Sequence, residues 1–386
     1  MTTPLRYGWT RNFARTEGRL KSQYPALADT IDRHLWYGDV MSHEDVAGME
    51  DLPVAVNRSY WSPPPEMQAL IRANVVRHLA DWRADPKTTP LRLRRKKAEE
   101  SYAALNELPT AYPEELSDYM NDRTVRLSRM TPDGLEIQQA CYLDQLGSNI
   151  LCDQDISGVT ARSFDRAGDG GLRPLHDSAL ANTVGVACIF VGCDQIPVLR
   201  FRQQEAEGER MAIMQNGWHC TSSGVLKFDD VIDLRDPSRG YTLRDFRRGL
   251  LREATYEPGL WDHEDLYDCT LVGFARELKR AGKPQFFYRV QFKTMTAQEI
   301  VDEMRTRYQR EGDEYAPQAD RRILGRFIDR LRTPKPGELR DVLIEPRYAL
   351  DRLTRADLTA MAESQENRMT FECFANLWVM VGEARP

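Results

Sequence analysis

The sequence predicts an α/β protein, a mixed sheet built within residues 178–310 with helices before and after it. Three observations predict it. Thr183–Val191 and Ile196–Phe201 are short apolar runs, and Leu271–Glu277 and Gln285–Phe292 form a second pair around Arg280–Lys283. Runs of that length, rich in β-branched and aromatic residues and bounded by turn residues, read as strands. Met67–Trp82, Ala297–Tyr308 and Asp320–Arg332 instead read as helices, and the first and last repeat apolar residues at helical spacing. The chain has 386 residues, 41% of them hydrophobic, with seven Trp, enough to build sizeable cores. That length allows roughly two or three domains.

Residues 1–130 read as a mainly helical, polar N-terminal region. Ser62 and Pro63–Pro65 open the Met67–Trp82 helix. Its Leu70, Ile71, Val75, Val76 and Leu79 are expected on one apolar face, and Asp85-Pro86 closes it. The basic run Arg92–Lys97 precedes Glu99 and Glu100, which fits a solvated helix face better than a phosphate contact. Residues 131–177 read as a connector that packs on the sheet. Leu135–Cys152 starts with strand alternation and continues as a short helix, and the Gly-rich Asp165–Gly171 is a soft boundary expected to be flexible. Residues 178–310 form the central domain, in which Trp218–Gly224 adds a strand ending in a Gly-containing turn. Residues 311–386 read as a C-terminal helical region. Thr354 with Asp357 opens one helix there, and the apolar Phe371–Val381 segment leaves room for a homodimer.

Composition excludes several classes. Charged residues make up 29% of the chain, with net charge −6, an acidic balance that argues against a general nucleic-acid binder. No run of apolar residues is long enough to span a membrane, and Met1–Trp9 lacks the apolar core of a signal peptide. The seven cysteines are scattered, with no Cys-x-x-Cys. That suits free thiols in a reducing cytoplasm and argues against a structural zinc site. Phosphate-binding loops, nucleophile elbows, dinucleotide fingerprints and paired metalloprotease histidines are not found.

The residues most suggestive of chemistry are Arg252–Leu260. Glu253 and Glu257 stand one helical turn apart on a shared face, and Pro258-Gly259 then stops the helix. Two carboxylates so spaced can grip a hard divalent cation such as Mg2+ or Mn2+. Arg252 can orient one of them through a bidentate contact. Thr242 is the expected N-cap of this helix. The loop Gly224–Gly240 carries Asp229, Asp230, Asp233 and Asp236, either as further ligands or as a solvated acidic loop. His219 is a candidate general base or phosphate contact, since its proton equilibrium lies near neutrality. The plain alternative is a packed strand histidine. Its neighbour Cys220 points to the opposite face of a strand, so adjacency makes no dyad. His176, Asp177, Asp262 and His263 flank the region without a motif.

This stretch resembles the core of the Nudix box, Arg-Glu-aliphatic-x-Glu-Glu-x-Gly-aliphatic, preceded at fixed spacings by a glutamate and a glycine. Arg252, Glu253, Ala254, Glu257, Gly259 and Leu260 fall on motif positions. Arg244 stands where the upstream glutamate belongs, Ser238 replaces the opening glycine, and Tyr256 replaces the first of the paired glutamates. The order of strands and helices is similar to the Nudix α/β/α sandwich, here flanked by mainly helical N- and C-terminal regions. The resemblance implies a small-molecule substrate with a diphosphate linked to another moiety, often a nucleoside. In that family metals neutralise the phosphates and activate water. It implies Glu257 and Glu253 as ligands to Mg2+ or Mn2+, Asp229 or Asp230 completing the shell, and Arg252 orienting Glu253 as ligand or base. His219 is the additional candidate base, and Gly224, Arg244 and Tyr256 are the candidate substrate contacts. Arg244 could also hold an anionic ligand directly. Hydrolysis, ligand sensing or scaffolding on a degenerate Nudix fold, and a nonhydrolytic biosynthetic reaction all remain open on these residues.

Overall fold

The computed structural model describes residues 13–31, 35–84, 103–116, 121–202, 217–233, 235–236, 238–256, 264–304, 342–343, 349–363 and 369–381. Eleven strands are described: β1 Tyr37–Met41, β2 Val54–Tyr60, β3 Arg123–Thr131, β4 Gly134–Cys141, β5 Gly185–Val191, β6 Pro197–Arg202, β7 Gly217–His219, β8 Ser222–Val225, β9 Tyr267–Glu277, β10 Lys283–Phe292 and β11 Val342–Leu343. Eight of them form one sheet in the order β1-β9-β10-β5-β6-β11, with β7 beside β6 and β8 beside β5. β10 runs parallel to β5 and antiparallel to β9, so the sheet is mixed. The remaining strands make a small sheet, β2-β4-β3.

The expected hairpin forms as β9 and β10. Its turn closes where Ala281 and Gly282 both take positive φ, 53° and 85°, a conformation glycine adopts at little cost. β5 is buried along its whole length, because both faces of the sheet are covered. Successive side chains alternate between those faces. Val186, Cys188 and Phe190, with Phe286, Tyr288 and Val290, join one core with Phe246 and Leu250 of the helix Phe246–Tyr256 and with Ile300 and Val301. Ala187, Ile189 and Val191, with Val272, Ala275 and Phe287, join the opposite core with Phe371, Phe374 and Leu377 of the helix Phe371–Met380.

The N-terminal region departs from the mainly helical expectation. It supplies β1, the edge strand beside β9, and β2 and most of β3. β2 buries alternate residues only partly, so its apolar alternation is weak in sequence. The helix Pro65–Ala84 forms as expected, and Leu70, Ile71, Val75 and Leu79 are buried. Val76 is exposed, because one residue past Val75 is a rotation of about 100° away from the buried stripe.

Asp165–Gly171, expected to be a flexible boundary, is tied down. Asp165 accepts from the Ala179 amide at 2.6 Å and from Ser178 Oγ at 2.8 Å. Arg162 fastens the same region to the hairpin, donating to Tyr24 Oη at 2.5 Å, Leu278 O at 2.6 Å and Asp153 Oδ1 at 2.6 Å. Thr354 and Asp357 form the predicted cap of the helix Arg355–Glu363, with Thr354 N to Asp357 Oδ2 at 2.9 Å and Asp357 N to Thr354 Oγ1 at 3.1 Å. The expected helix Asp320–Arg332 and the basic run Arg92–Lys97 lie outside the described residues. Among the described residues no helix is long and apolar enough to cross a membrane.

Candidate functional site

The helix Phe246–Tyr256 is seated by its first turn. Asp245 Oδ2 accepts from the Thr242 amide at 2.9 Å, and the Thr242 side chain closes the reciprocal capping box. A 3-10 turn, Leu243–Asp245, leads from this cap into the helix. The N-terminal region grips the same point, with Val54 N to Tyr241 O at 2.8 Å and Leu243 N to Leu52 O at 3.0 Å. Phe246 and Leu250, one turn apart, are fully buried, and the Phe246 ring stands edge-on to Phe286 at 5.5 Å. Gly249 allows the close approach, since a Cβ there would collide with Leu226.

The helix continues through Arg252, Glu253 and Tyr256. The backbone of Arg252, Glu253 and Tyr256 is described, whereas their side chains fall outside the described part. Glu257, Gly259, Leu260, Asp262 and His263 lie wholly outside the described residues.

The other predicted residues divide. Gly224 is on β8, paired with Val186. Asp229 and Asp230 share the short helix Phe228–Val231, and Asp229 Oδ1 lies 3.9 Å from Arg123 Nη1. Asp233 accepts from Arg235 Nε at 3.2 Å and from Arg235 N at 2.9 Å, and Asp236 accepts from Ser238 Oγ at 2.7 Å. These contacts hold both carboxyls below the usual carboxylate range. Arg244 sits on the surface, 2.6 Å from Asp51 Oδ1. His219 is buried on β7 opposite Arg200. Burial pushes the Cys220 thiol well up, so it is not an activated nucleophile. His176 is exposed beside Asp177 at 3.5 Å. Among the described residues no three His, Cys, Asp or Glu side chains converge as metal donors.

One constellation was not legible in the sequence. Arg247 Nη2 donates to both oxygens of Glu50 at 3.0 Å. Glu50 Oε1 also accepts from the Leu271 amide at 3.2 Å. Leu271 lies where the β9–β10 register shifts at Phe287/Tyr288, so Glu50 binds the helix to an irregular point of the sheet. Tyr288 is buried nearby, and burial with the Glu50 charge pushes its hydroxyl well above the ordinary value. These partners are separated by 197 and 221 residues, and no local pattern joins them.

In comparisons with known proteins, no family model and no curated protein matches the chain.

Proposed function

We propose that the chain is a divergent Nudix-type hydrolase acting on a diphosphate-containing small molecule, of which nucleoside-diphosphate derivatives are the leading class. The observation that supports this reading best is the seat of the Arg252-Glu253 segment. It follows the β8 strand with its Gly224 and rides a capped helix fixed to the sheet through Phe246 and Leu250. The described aspartates do not make a metal site by themselves, because Asp229 is shared with Arg123, and Asp233 and Asp236 are bound into their own turns. An ion such as Mg2+ or Mn2+ would therefore rest on Glu253 and Glu257. When bound it would neutralise phosphate charge and supply an activated water. Arg252 would hold Glu253 in place.

The second reading is a ligand-sensing module that binds the diphosphate without metal. It is favoured by the engagement of Asp229 with Arg123 and by the cation Arg244 at the position of the upstream glutamate. The two readings separate in one experiment. Melting temperature is measured with nucleoside diphosphates, nucleotide sugars and dinucleotides, each with and without Mg2+. A ligand at a hundredfold its Kd adds about 2.7 kcal/mol of stability. A rise that requires Mg2+ and is lost in Glu257→Gln supports the hydrolase. A rise indifferent to metal supports the sensor. No rise with any of these compounds contradicts both.

A further inference from the structure

The helix Phe371–Met380 covers the sheet face opposite the 246–256 helix, and its first turn lies over a row of buried polar side chains. Strand register builds the row. Tyr37 of β1 stands opposite Glu277 of β9, and Glu277 stands opposite Lys283 of β10. Gln285 follows on the same face, opposite Gly185 of β5. Gly185 leaves the space that these side chains fill, since a Cβ there would collide with Lys283 Nζ and Gln285 Oε1. All four polar residues are at most 2% exposed.

Their hydrogen bonding is incomplete. Lys283 Nζ donates to Gln285 Oε1 at 3.3 Å, and Arg280 pairs with Glu277 Oε2 at 3.1 Å. Among the described residues, Tyr37 Oη, Glu277 Oε1 and Gln285 Nε2 find no protein partner, and neither does Asn376 Oδ1 on the helix itself. A buried donor or acceptor left unpaired carries its full desolvation cost. Every one of these atoms gains a partner when water reaches the interface. Against this stand the apolar contacts of Phe371, Phe374, Leu377 and Val379, and the bond from Thr370 N to Trp218 O at 2.8 Å. The interface therefore combines a strong apolar seal with a polar row that favours opening.

We propose that the Phe371–Met380 helix is a displaceable cover, which lifts from the sheet while the sheet stays folded and so hydrates the Tyr37–Glu277–Lys283–Gln285 row. Lifting makes the Lys283 amine accessible. The charged groups acting on Lys283 are Arg280 in the turn, Glu277 on β9 and Glu372 on the helix, and Tyr37 on β1 and Lys279 in the turn border the same Glu277. Cys220, after β7, and Cys373 lie in the same interface. Burial drives Lys283 from 10.5 down to about 8. The open form binds its proton more tightly, so opening increases as pH falls from 10.5 toward 8 and levels off below. Across that window Lys283 changes the opening constant by up to about 300-fold. Lys279 also falls to about 8, so a Lys283 variant is needed to isolate the effect.

Cys220 and Cys373 are buried in this interface, whereas Cys141 and Cys188 are buried in other cores. Alkylation of the full chain, read by mass spectrometry cysteine by cysteine, measures the opening. After correction for thiol ionisation, Cys220 and Cys373 are expected to react faster than Cys141 and Cys188. Tyr37 and Cys220, raised by burial, favour opening as pH rises, so the contribution of Lys283 is read from the variant: Lys283→Met is expected to lower the ratio of the rate at pH 8 to that at pH 10, and Gln285→Leu to slow labelling at every pH while keeping that ratio. Equal rates at all four cysteines in the wild-type chain would overturn the proposal, as would an unchanged pH dependence in a folded Lys283→Met protein.

Discussion

Glu50 shows how much a single side chain can organise. It accepts two bonds from Arg247 and one from the Leu271 amide. Its removal leaves a half-buried guanidinium and a backbone donor without their acceptor. Charge-assisted bonds contribute about 1.5–3 kcal/mol each, but the Glu50 side chain keeps 20% exposure, which discounts that figure. Glu50→Ala is expected to cost about 2 kcal/mol in urea denaturation. In a double-mutant cycle with Arg247→Ala most of that cost is expected to appear as coupling. Thr242→Ala is expected to cost about 1 kcal/mol as a lost cap. Arg244→Ala is expected to cost less than about 1 kcal/mol, since its bond to Asp51 is an exposed pair. Thr242 was legible in sequence because its partner Asp245 is three residues away. Glu50 was not, because a carboxylate whose partners lie on another helix and another strand leaves no local trace. The motif position of Arg244 predicts a ligand contact, and in the structure its exposed guanidinium stands 2.6 Å from Asp51 Oδ1.

At the scale of elements, periodicity carried strands and helices as far as burial was one-sided. β5, β6, β9, β10 and the helices Pro65–Ala84 and Phe371–Met380 were legible because their apolar residues recur at the spacing of one or both buried faces. β1 and β2 escaped notice because edge strands keep polar residues at exposed positions. Asp165–Gly171 has the composition of a linker, yet the buried Asp165 carboxylate binds it to Ser178 and Ala179. The sheet makes its own test through Lys283. Its folded value, near 8, lies below the unfolded 10.5, so the unfolded chain binds more protons within that window. Stability is therefore expected to rise with pH from about 8 to 10.5, by up to about 3 kcal/mol from this group alone. Lys283→Met is expected to remove its share of the slope in denaturation curves collected across the window, leaving that of Lys279, which also falls to about 8.

For the whole molecule, a mixed eight-stranded sheet carries one helix layer on each face. One layer seats the Arg252-Glu253 segment, and the other closes over the polar row. The N-terminal region is part of this body, because β1 extends the main sheet and residues 52–54 bond to residues 241–243 at the start of the site helix. That integration could not be read from composition, since the contacts join segments nearly two hundred residues apart. Truncation of residues 1–60 is accordingly expected to destabilise the whole fold rather than release an independent domain, as a loss of the cooperative melting transition. The most direct test of function is the melting temperature of the full chain with a nucleotide sugar, and its cleavage to nucleoside monophosphate and sugar 1-phosphate, with and without Mg2+, alongside Glu253→Gln and Glu257→Gln. Expected is a Mg2+-dependent rise with turnover in the wild type, and loss of turnover in both variants while they stay folded. Turnover that survives in both variants, or a wild-type protein that neither binds nor cleaves any diphosphate compound, would contradict it.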